Sequence, residues 1–504
     1  MKTWSLFPLL LALPTQAAPV VLHVEAPQWA GQHIRLSQYV DLFTESTLLL
    51  AEADLDAQGR ATLHAEVEGT CKGLIRVGPV GAELWLRPGS YHVVLPAPPA
   101  GQALPIGGST RVDPVFQELS ALDVNALMTD LNERLDGFIA EDLATDNDAG
   151  MAEVAKVRAG VVQAAPDSAR GPLTIYTGPG WSAARTDSFA AKLRKFYAGV
   201  DDPWFQSNVE YGLAGLYLGP RADDRALYGQ WIQGRPVLYD VPEYVRFFGN
   251  FYAGRMMRWG YGKGPDRFLA AVRAGQVDSL KAMLARNDLM RDPRVNELVL
   301  ITGLQAEWGN KEFDRNGVLA VLREVRSGST WPEHRELAAH LVQQLTAMQP
   351  GSELPAVHLL DPEGATATPA WPAGPACVFI TTPGCTYCDQ EMAALALLQK
   401  EYADYAAFVG IMAPADSSNL AAWLHQHPEA AGMAWYRTAR VNELLEDLHV
   451  HSVPALILLR DGKIEACPGP LPSQGLKAVL HTMQVKADEE RRLRPDRGLP
   501  PPRR

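Results

Sequence analysis

Short runs in the first hundred residues alternate between apolar and polar side chains, which is the two-residue period of strands that bury one face. Turn sequences at residues 56–59 and 87–89 separate these runs. The spacing of runs and turns predicts a small antiparallel β-sandwich, an all-β domain over residues 18–98. The predicted strands are residues 20–24, 34–36, 48–53, 61–67, 74–77, 84–86 and 91–95.

Residues 96–108 are rich in proline and glycine, which predicts a linker. Asp113 and Pro114 then predict the cap and the first residue of a helix. Beyond them apolar residues recur every three or four positions, which is the period of an amphipathic helix. We therefore predict an α-helical middle domain over residues 109–349.

Within this helical region residues 141–185 are polar and interrupted by proline and glycine, so we expect loops or partial order there. The aromatic stripes further on predict core packing, and no catalytic constellation stands out. His334 and His340 lie six residues apart on one predicted helix and would not share a face, so no metal site is expected there. Glutamates without a partner at acid–base spacing are expected on solvated faces: Glu243, Glu297, Glu307 and Glu312.

The last third of the chain mixes both periods, which predicts an α/β domain over residues 350–486. The predicted strands are residues 377–380, 407–412 and 455–459, and the predicted helices begin near residues 386, 417, 441 and 476. Charged residues and prolines dominate the remaining segment, so residues 487–504 are predicted to be a disordered tail.

The overall composition fits a multidomain chain. With 504 residues, of which 47% are hydrophobic, the chain is long enough for two or three domains that each have a core. The net charge of −12, without a sustained basic stripe, argues against nucleic acid as a partner. Five cysteines are too few for a disulfide scaffold, and the odd number leaves at least one thiol unpaired.

The first residues predict export. Met1 and Lys2 precede an apolar run over residues 6–13 that is too short to span a membrane, and small residues follow at Ala17. We read residues 1–17 as a signal peptide and expect a soluble protein in the bacterial periplasm or an equivalent compartment. No cysteine lies at the cleavage point, which argues against a lipoprotein.

Cys385 and Cys388 form a Cys-x-x-Cys where an apolar strand gives way, through a Pro-Gly turn, to a helix. The first N–H groups of a helix have no intrahelical partner, so they stabilise a thiolate at Cys385. Thiols in such sites have pKa values of roughly 3.5 to 7.5. Cys385 would attack a disulfide, and Cys388 would resolve the mixed disulfide, so the pair is a candidate redox-active disulfide.

Half a zinc site has the same Cys-x-x-Cys spacing, but the sequence supplies no second half. The other cysteines, Cys71, Cys377 and Cys467, are not paired at that spacing. We therefore expect no metal and no cofactor. Cys71 is expected to be a buried, inert thiol.

Downstream, His451-Ser452-Val453-Pro454 leads directly into an apolar strand that turns at Asp461-Gly462. Together with the Cys-x-x-Cys, this segment resembles the thioredoxin superfamily. In that family a cis-proline that opens this strand faces the two cysteines and presents backbone groups to the substrate chain. The resemblance gives that substrate-binding role to Val453 and Pro454, and it implies a thioredoxin-like fold.

Residues 351–364 are similar to the entry strand and turn of the extracytoplasmic TlpA-like branch, and the resemblance covers residues 351–485. The first predicted domain is similar to the β-domain of unassigned function that precedes many TlpA-like domains. Three features depart from the family pattern. Gly384 replaces the usual tryptophan, the intervening pair Thr386-Tyr387 lacks a proline, and Phe379 replaces an acid that is often buried in thioredoxins.

The family strand order would place Cys377 and Cys467 two strands apart, about 9.6 Å, which is beyond the reach of a disulfide. We therefore expect both thiols to be unbridged. His449 and His451 precede the proline loop, where they are either exposed loop residues or close enough to stabilise the Cys385 thiolate.

The resemblance implies an extracytoplasmic thiol:disulfide oxidoreductase that exchanges disulfides with protein substrates and with an upstream redox partner. Tyr387 occupies a position where some disulfide isomerases also carry tyrosine.

A second reading is a peroxidase, because the segment Thr382-Pro383-Gly384-Cys385-Thr386 also resembles the peroxidatic loop of peroxiredoxins. However, Val378 replaces the family's proline, and the loop at His451–Pro454 offers no arginine. A third alternative is a partner-binding or redox-sensing protein on a thioredoxin-like scaffold.

Overall fold

The computed structural model describes residues 17–98, 109–158, 183–219, 222–261, 264–367, 374–414 and 417–493. Apart from Ala17, the predicted signal peptide lies outside these residues, as does most of the predicted linker. None of the helices within the described ranges is both long enough and apolar enough to cross a membrane.

Two facing sheets form the N-terminal part of the chain, with strand orders β4-β1-β7-β9 and β3-β2-β5-β6-β8. Their strands are β1 Ala18–Glu25, β2 His33–Tyr39, β3 Thr47–Asp54, β4 Arg60–Val67, β5 Cys71–Val77, β6 Val80–Leu86, β7 Gly89–Val94, β8 Thr110–Arg111 and β9 Val115–Gln117. In β1 the alternation is direct: Val20, Leu22 and Val24 are buried, whereas Val21 and His23 face outwards.

The sandwich differs from the prediction in two respects. It is not wholly antiparallel, because β7 pairs with β1 in parallel and β8 pairs with β6 in parallel. It also extends past residue 98, because β8 and β9 lie beyond the linker. Strand β8 is added to one sheet and β9 to the other. The helix start predicted at Asp113 and Pro114 is therefore wrong, since the chain there continues into β9 and the first helix begins at Val124.

A side chain of the first helix completes the edge of β6. Asn125 accepts a hydrogen bond from the backbone N–H of Trp85 at 2.7 Å and donates one to the backbone carbonyl of Trp85 at 2.9 Å. The short strand β8 covers only Val80 and Gly81 at this edge. The side-chain amide thus satisfies backbone groups that a neighbouring strand would otherwise pair.

The middle of the chain is helical. Its helices are α1 Val124–Arg158, α2 Ala183–Tyr197, α3 Pro203–Gly215, α4 Asp224–Trp231, α5 Pro242–Tyr252, α6 Arg255–Tyr261, α7 Pro265–Arg273, α8 Val277–Leu284, α9 Pro293–Ala306, α10 Arg315–Gly328 and α11 Pro332–Thr346. The loops predicted from residue 141 are wrong as far as Arg158, because α1 continues to that point, and they are wrong at residues 183–185, where α2 has begun. Residues 159–182 of the predicted loop lie outside the described residues.

Sequence signals explain where several of these helices begin. Asp202 and Asp292 each accept a hydrogen bond from a first-turn N–H, and a proline follows each of them at the first helical position. The aromatic face of α5, formed by Tyr244, Phe247 and Phe251, lies in the largest buried cluster. The aromatic stripe is thus part of the core.

Two of the glutamates predicted on solvated faces are buried instead. Glu243 keeps 5% of its surface exposed and Glu297 keeps 2%. Glu243 pairs with Arg246, and Glu297 accepts hydrogen bonds from three side chains described below. Burial is tolerated because the charged groups find partners.

The C-terminal part surrounds a seven-stranded sheet of order β11-β10-β14-β13-β12-β15-β16. Its elements are β10 Leu359–Leu360, β11 Thr366–Ala367, β12 Pro375–Thr381, α12 Thr386–Tyr402, β13 Ala407–Met412, α13 Ser417–Gln426, β14 Ala434–Arg437, α14 Val441–Asp447, β15 Ala455–Arg460, β16 Lys463–Ala466 and α15 Leu476–Leu493. Strands β12, β13 and β14 are parallel, and β15 is antiparallel to β12. This arrangement is α/β, as predicted.

The central strand β12 is buried on both faces. Cys377 and Phe379 belong to one hydrophobic cluster, together with residues of α12 and α15. Val378 and Ile380 belong to another cluster, together with residues of α14. Helices on both sides of the sheet explain why the strand reads as an unbroken apolar run.

The start of the predicted tail is wrong, because helix α15 continues past residue 487 to Leu493. Residues 494–504 of the predicted tail lie outside the described residues.

Candidate active site

The two cysteines of the Cys-x-x-Cys form a disulfide at the point where β12 gives way to α12, with a Cα–Cα distance of 5.1 Å. Gly384 precedes them with φ at +74°, a left-handed conformation that favours glycine. Cys385 is the N-cap of α12, and its sulfur accepts a hydrogen bond from the backbone N–H of Cys388 at 3.1 Å. The sulfur of Cys385 therefore lies at the positive end of the helix.

The two sulfurs differ in accessibility. Cys385 is partly exposed, whereas Cys388, in the first turn of α12, is fully buried. Tyr387, between them, leaves 48% of its surface exposed. An incoming partner can therefore reach Cys385 directly, and Cys388 is placed to react only with its neighbour.

The sheet register brings Pro454 to the same end of the sheet as the disulfide. Ile380 of β12 pairs with Ala455 of β15, so Pro454 lies beyond this pair on the side where β12 continues towards Cys385. The Val453–Pro454 peptide is cis, Pro454 is buried and Val453 is partly exposed.

The remaining thiols are unbridged. Cys377 is fully buried in β12, and this burial raises the pKa of its thiol to about 12. Burial also raises the pKa of Cys71 to about 11 and raises that of Cys467. All three thiols are thus disfavoured as thiolates at neutral pH.

Phe379, at the position where thioredoxins often carry a buried acid, is fully buried in β12 opposite Leu456. An aromatic ring thus fills that position. The expectation that His449 or His451 assists Cys385 stays a prediction.

Sequence reasoning missed a polar cluster next to the disulfide. Asp389 follows Cys388 directly, and its carboxylate accepts a hydrogen bond from Nε1 of Trp423 at 3.1 Å. Nε2 of His427 lies 3.6 Å from the same oxygen, and the rings of Trp423 and His427 stack with centroids 4.3 Å apart. Trp423 and His427 are four residues apart near a predicted helix. That i, i+4 spacing could have predicted that the two side chains share a face.

The middle region holds a second buried polar group around Glu297. Its carboxylate accepts hydrogen bonds from Lys281 at 2.6 Å, from His334 at 2.9 Å and from Ser329. Burial by itself raises the pKa of Glu297, but these hydrogen bonds outweigh burial and bring the pKa down to about 2. His340 instead pairs with Asp41 of the sandwich at 2.7 Å, so the two histidines do not meet.

Within the described ranges, no three histidine, cysteine or acidic side chains are grouped so that they could hold a metal ion.

Comparisons with known proteins give no family, because neither a protein-family model nor a curated protein matches the sequence. Solved structures do match. The thioredoxin domain of a thiol-disulfide oxidoreductase from Bacteroides vulgatus is 20% identical, with 23% of this chain and 86% of that chain covered and a TM-score of 0.22. A thioredoxin-like protein from Bacteroides caccae is 12% identical, with 64% and 97% covered and a TM-score of 0.27.

A secreted disulfide oxidoreductase from Mycobacterium tuberculosis is 18% identical, with 26% of this chain and 96% of that chain covered and a TM-score of 0.22. The structural neighbours are thus thiol-disulfide oxidoreductases and thioredoxin-like proteins. At these identities and TM-scores the neighbours do not show the activity of this chain.

Proposed function

We propose that this chain is an extracytoplasmic thiol:disulfide oxidoreductase that exchanges disulfides with protein substrates through Cys385 and Cys388. The observation that carries the proposal is the disulfide itself. It is formed at a helix N-terminus, with one sulfur partly exposed and the other buried. Export is inferred from the apolar segment within residues 1–17.

In the reducing direction the thiolate of Cys385 attacks a disulfide of the substrate protein. A bond forms between the Cys385 sulfur and one substrate sulfur, and the other substrate sulfur leaves as a thiolate that takes a proton from water. The helix N-terminus favours this step because it stabilises the attacking thiolate.

In the second step Cys388 loses its proton and attacks the sulfur of Cys385. The mixed disulfide breaks, the second substrate sulfur leaves as a thiolate, and the Cys385–Cys388 disulfide is formed. Two electrons have then passed to the substrate, so an upstream dithiol partner must reduce the pair before the next cycle. Run backwards, the same steps oxidise a substrate dithiol.

Substrate binding is assigned to the loop that carries Val453 and Pro454. The support is the register between β12 and β15, which carries this loop to the sheet end where Cys385 lies. We propose that the backbone of Val453 pairs with an extended segment of the substrate, as the thioredoxin resemblance implies, while the exposed ring of Tyr387 contacts its side chains.

Reduction of insulin by the full chain, with dithiothreitol as the electron donor, tests the proposal. We expect the wild type to accelerate reduction and Cys385→Ser to be no faster than the donor alone, because no thiol remains at the exposed position. Cys71→Ser is the matched control and should retain wild-type turnover, since Cys71 lies on β5 of the sandwich.

Equal turnover by the wild type and Cys385→Ser would exclude the enzyme and leave a partner-binding or redox-sensing scaffold. Rapid consumption of hydrogen peroxide with no reduction of insulin would instead indicate a peroxidase.

A further inference from the structure

Two arginines of the N-terminal sandwich contact helix α14 of the C-terminal part. Arg35 on β2 and Arg76 on β5 are directly opposite each other in the strand register and project from the outer face of their sheet. Nε of Arg35 lies 3.8 Å from Glu443, and its Nη2 lies 3.7 Å from Glu446. Arg76 donates a hydrogen bond to the same carboxylate of Glu446. Both carboxylates thus face the sandwich.

These ion pairs are partly shielded from solvent. The side chains of Arg35, Glu443 and Glu446 are 20%, 21% and 18% exposed, and that of Arg76 is 35% exposed. Screening by salt is weaker for such pairs than for fully exposed ones. Arg440, just before α14, extends the contact towards Asp54 of β3 at 3.9 Å.

The opposite face of α14 is held by the sheet of the C-terminal part. Leu444, Leu445 and Leu448 are buried in the cluster that contains Ile380 of the central strand. Helix α14 therefore lies between two sheets from different parts of the chain. Apolar packing fixes one side of the helix, and charge pairing fixes the other.

The end of α14 is tied directly to the segment that leads to Pro454. His449 has a left-handed conformation with φ at 49°, and its N–H bonds to the carbonyl of Glu446 at 3.0 Å. The N–H of Val450 bonds to the carbonyl of Leu445 at 2.7 Å. These two hydrogen bonds form a Schellman-type helix end. A shift of α14 would therefore move the start of the proline loop with it.

We propose that Arg35 and Arg76 are positioning residues that hold α14, and through it the Val453–Pro454 loop, in place beside the disulfide. The N-terminal sandwich thereby takes part in binding protein substrates, although it contributes no group to the chemistry. This inference rests on the proposed exchange function and deepens it, because it gives the sandwich a role in the same site.

The test uses the full chain carrying both Arg35→Gln and Arg76→Gln in the insulin assay. We expect KM for insulin to rise by roughly three- to tenfold while kcat changes by less than about twofold, because binding is weakened and the sulfur chemistry is untouched. The rate with glutathione disulfide, which is too small to pair along the loop, should stay at the wild-type value.

The matched control is Arg111→Gln. Arg111 lies on the same sheet and pairs with Glu83 at 2.9 Å, but its side chain is 70% exposed and makes no contact with α14 among the described ion pairs. A KM in the double variant equal to that of Arg111→Gln would overturn the inference.

A charge swap separates positioning from a general loss of folding. In an Arg35→Gln background, which removes the second arginine beside Glu446, Arg76→Glu and Glu446→Arg should each raise KM further, and the two together should bring KM back towards that of the Arg35→Gln variant. A swap that fails to lower KM below that of the single variants would overturn the inference. Equal insulin turnover by wild type and Cys385→Ser would instead contradict the proposed exchange function. Failure of the positioning role and failure of the exchange function therefore give different results.

Discussion

Nε1 of Trp423 donates a hydrogen bond to the carboxylate of Asp389, the residue directly after the buried cysteine of the disulfide. A negative charge therefore lies in the first turn of the helix whose N-terminus would stabilise the Cys385 thiolate. Trp423 and the nearby ring of His427 hold that carboxylate towards α13. In the reduced protein the N-terminus of α12 therefore stabilises two anions, the Cys385 thiolate and the Asp389 carboxylate.

Asp389→Asn should lower the pKa of the Cys385 thiol in the reduced protein, because it removes the competing charge while keeping the hydrogen bond from Trp423. The pH dependence of alkylation by iodoacetamide measures this. Asp404→Asn is the control, since Asp404 is exposed beyond the far end of α12. A pKa that is unchanged or raised in Asp389→Asn would contradict the prediction.

Cys388→Ser should accumulate mixed disulfides between Cys385 and substrate proteins. Cys385 is partly exposed and can still attack, but the buried sulfur that releases the substrate is missing. Non-reducing gels followed by mass spectrometry would identify the cross-linked peptides. The double variant with Cys385→Ser should form none, and adducts through Cys71 or Cys467 would show that the wrong sulfur had been assigned.

Glu297→Gln should destabilise the helical region by about 2 to 3 kcal/mol at neutral pH. The change removes the charge that Lys281 and His334 contact in the buried cluster. Denaturant unfolding at pH 7 measures the loss. Glu324→Gln, at an exposed site on α10, is the control and should change stability by less than about 0.5 kcal/mol.

The same carboxylate predicts how stability depends on pH. The pKa of Glu297 is lowered from its ordinary value of 4.5 to about 2 in the folded protein. Its contribution is therefore fully present above pH 4.5 and is lost as the pH falls towards 2. The difference in unfolding free energy between wild type and Glu297→Gln should shrink over that range, and a constant difference would refute the assignment.

Gly410→Ala should destabilise the C-terminal part by roughly 1 to 3 kcal/mol. A Cβ at this position would lie 2.5 Å from the ring of Trp435, its cross-strand neighbour in the sheet. Gly137→Ala is the opposite control. Gly137 lies within α1 with no atom within 4 Å of the added Cβ, so alanine should stabilise that helix by about 0.5 to 1 kcal/mol. Thermal unfolding followed by circular dichroism distinguishes the two.

Local signals in the sequence predicted the elements around the disulfide well. The apolar run of β12, the Pro-Gly turn and the helical period after Cys388 each depend on residues close together in the chain. The same holds for Pro454, which stands directly before an apolar strand. Short-range patterns therefore predicted the strand, turn and helix that carry the candidate site.

Long-range partners could not be predicted in this way. Arg76 and Glu446 are 370 residues apart, and nothing in either local pattern indicates the other. Glu297 was expected on a solvated face because its partners, Ser329 and His334, lie on other elements 32 and 37 residues away. Which polar residue is buried depends on tertiary contacts, and a single sequence does not contain that information.

Asn125 has a consequence for how the sandwich behaves in a crowded solution. Unpaired N–H and carbonyl groups along an outer strand form a template to which another molecule can add its own strand. Asn125 bonds to both backbone groups of Trp85, just past the part of β6 that β8 covers. These two groups are therefore not available to pair with a strand of another molecule. A helix side chain thus protects this edge strand against edge-to-edge self-association. An apolar residue at position 125 would remove the protection.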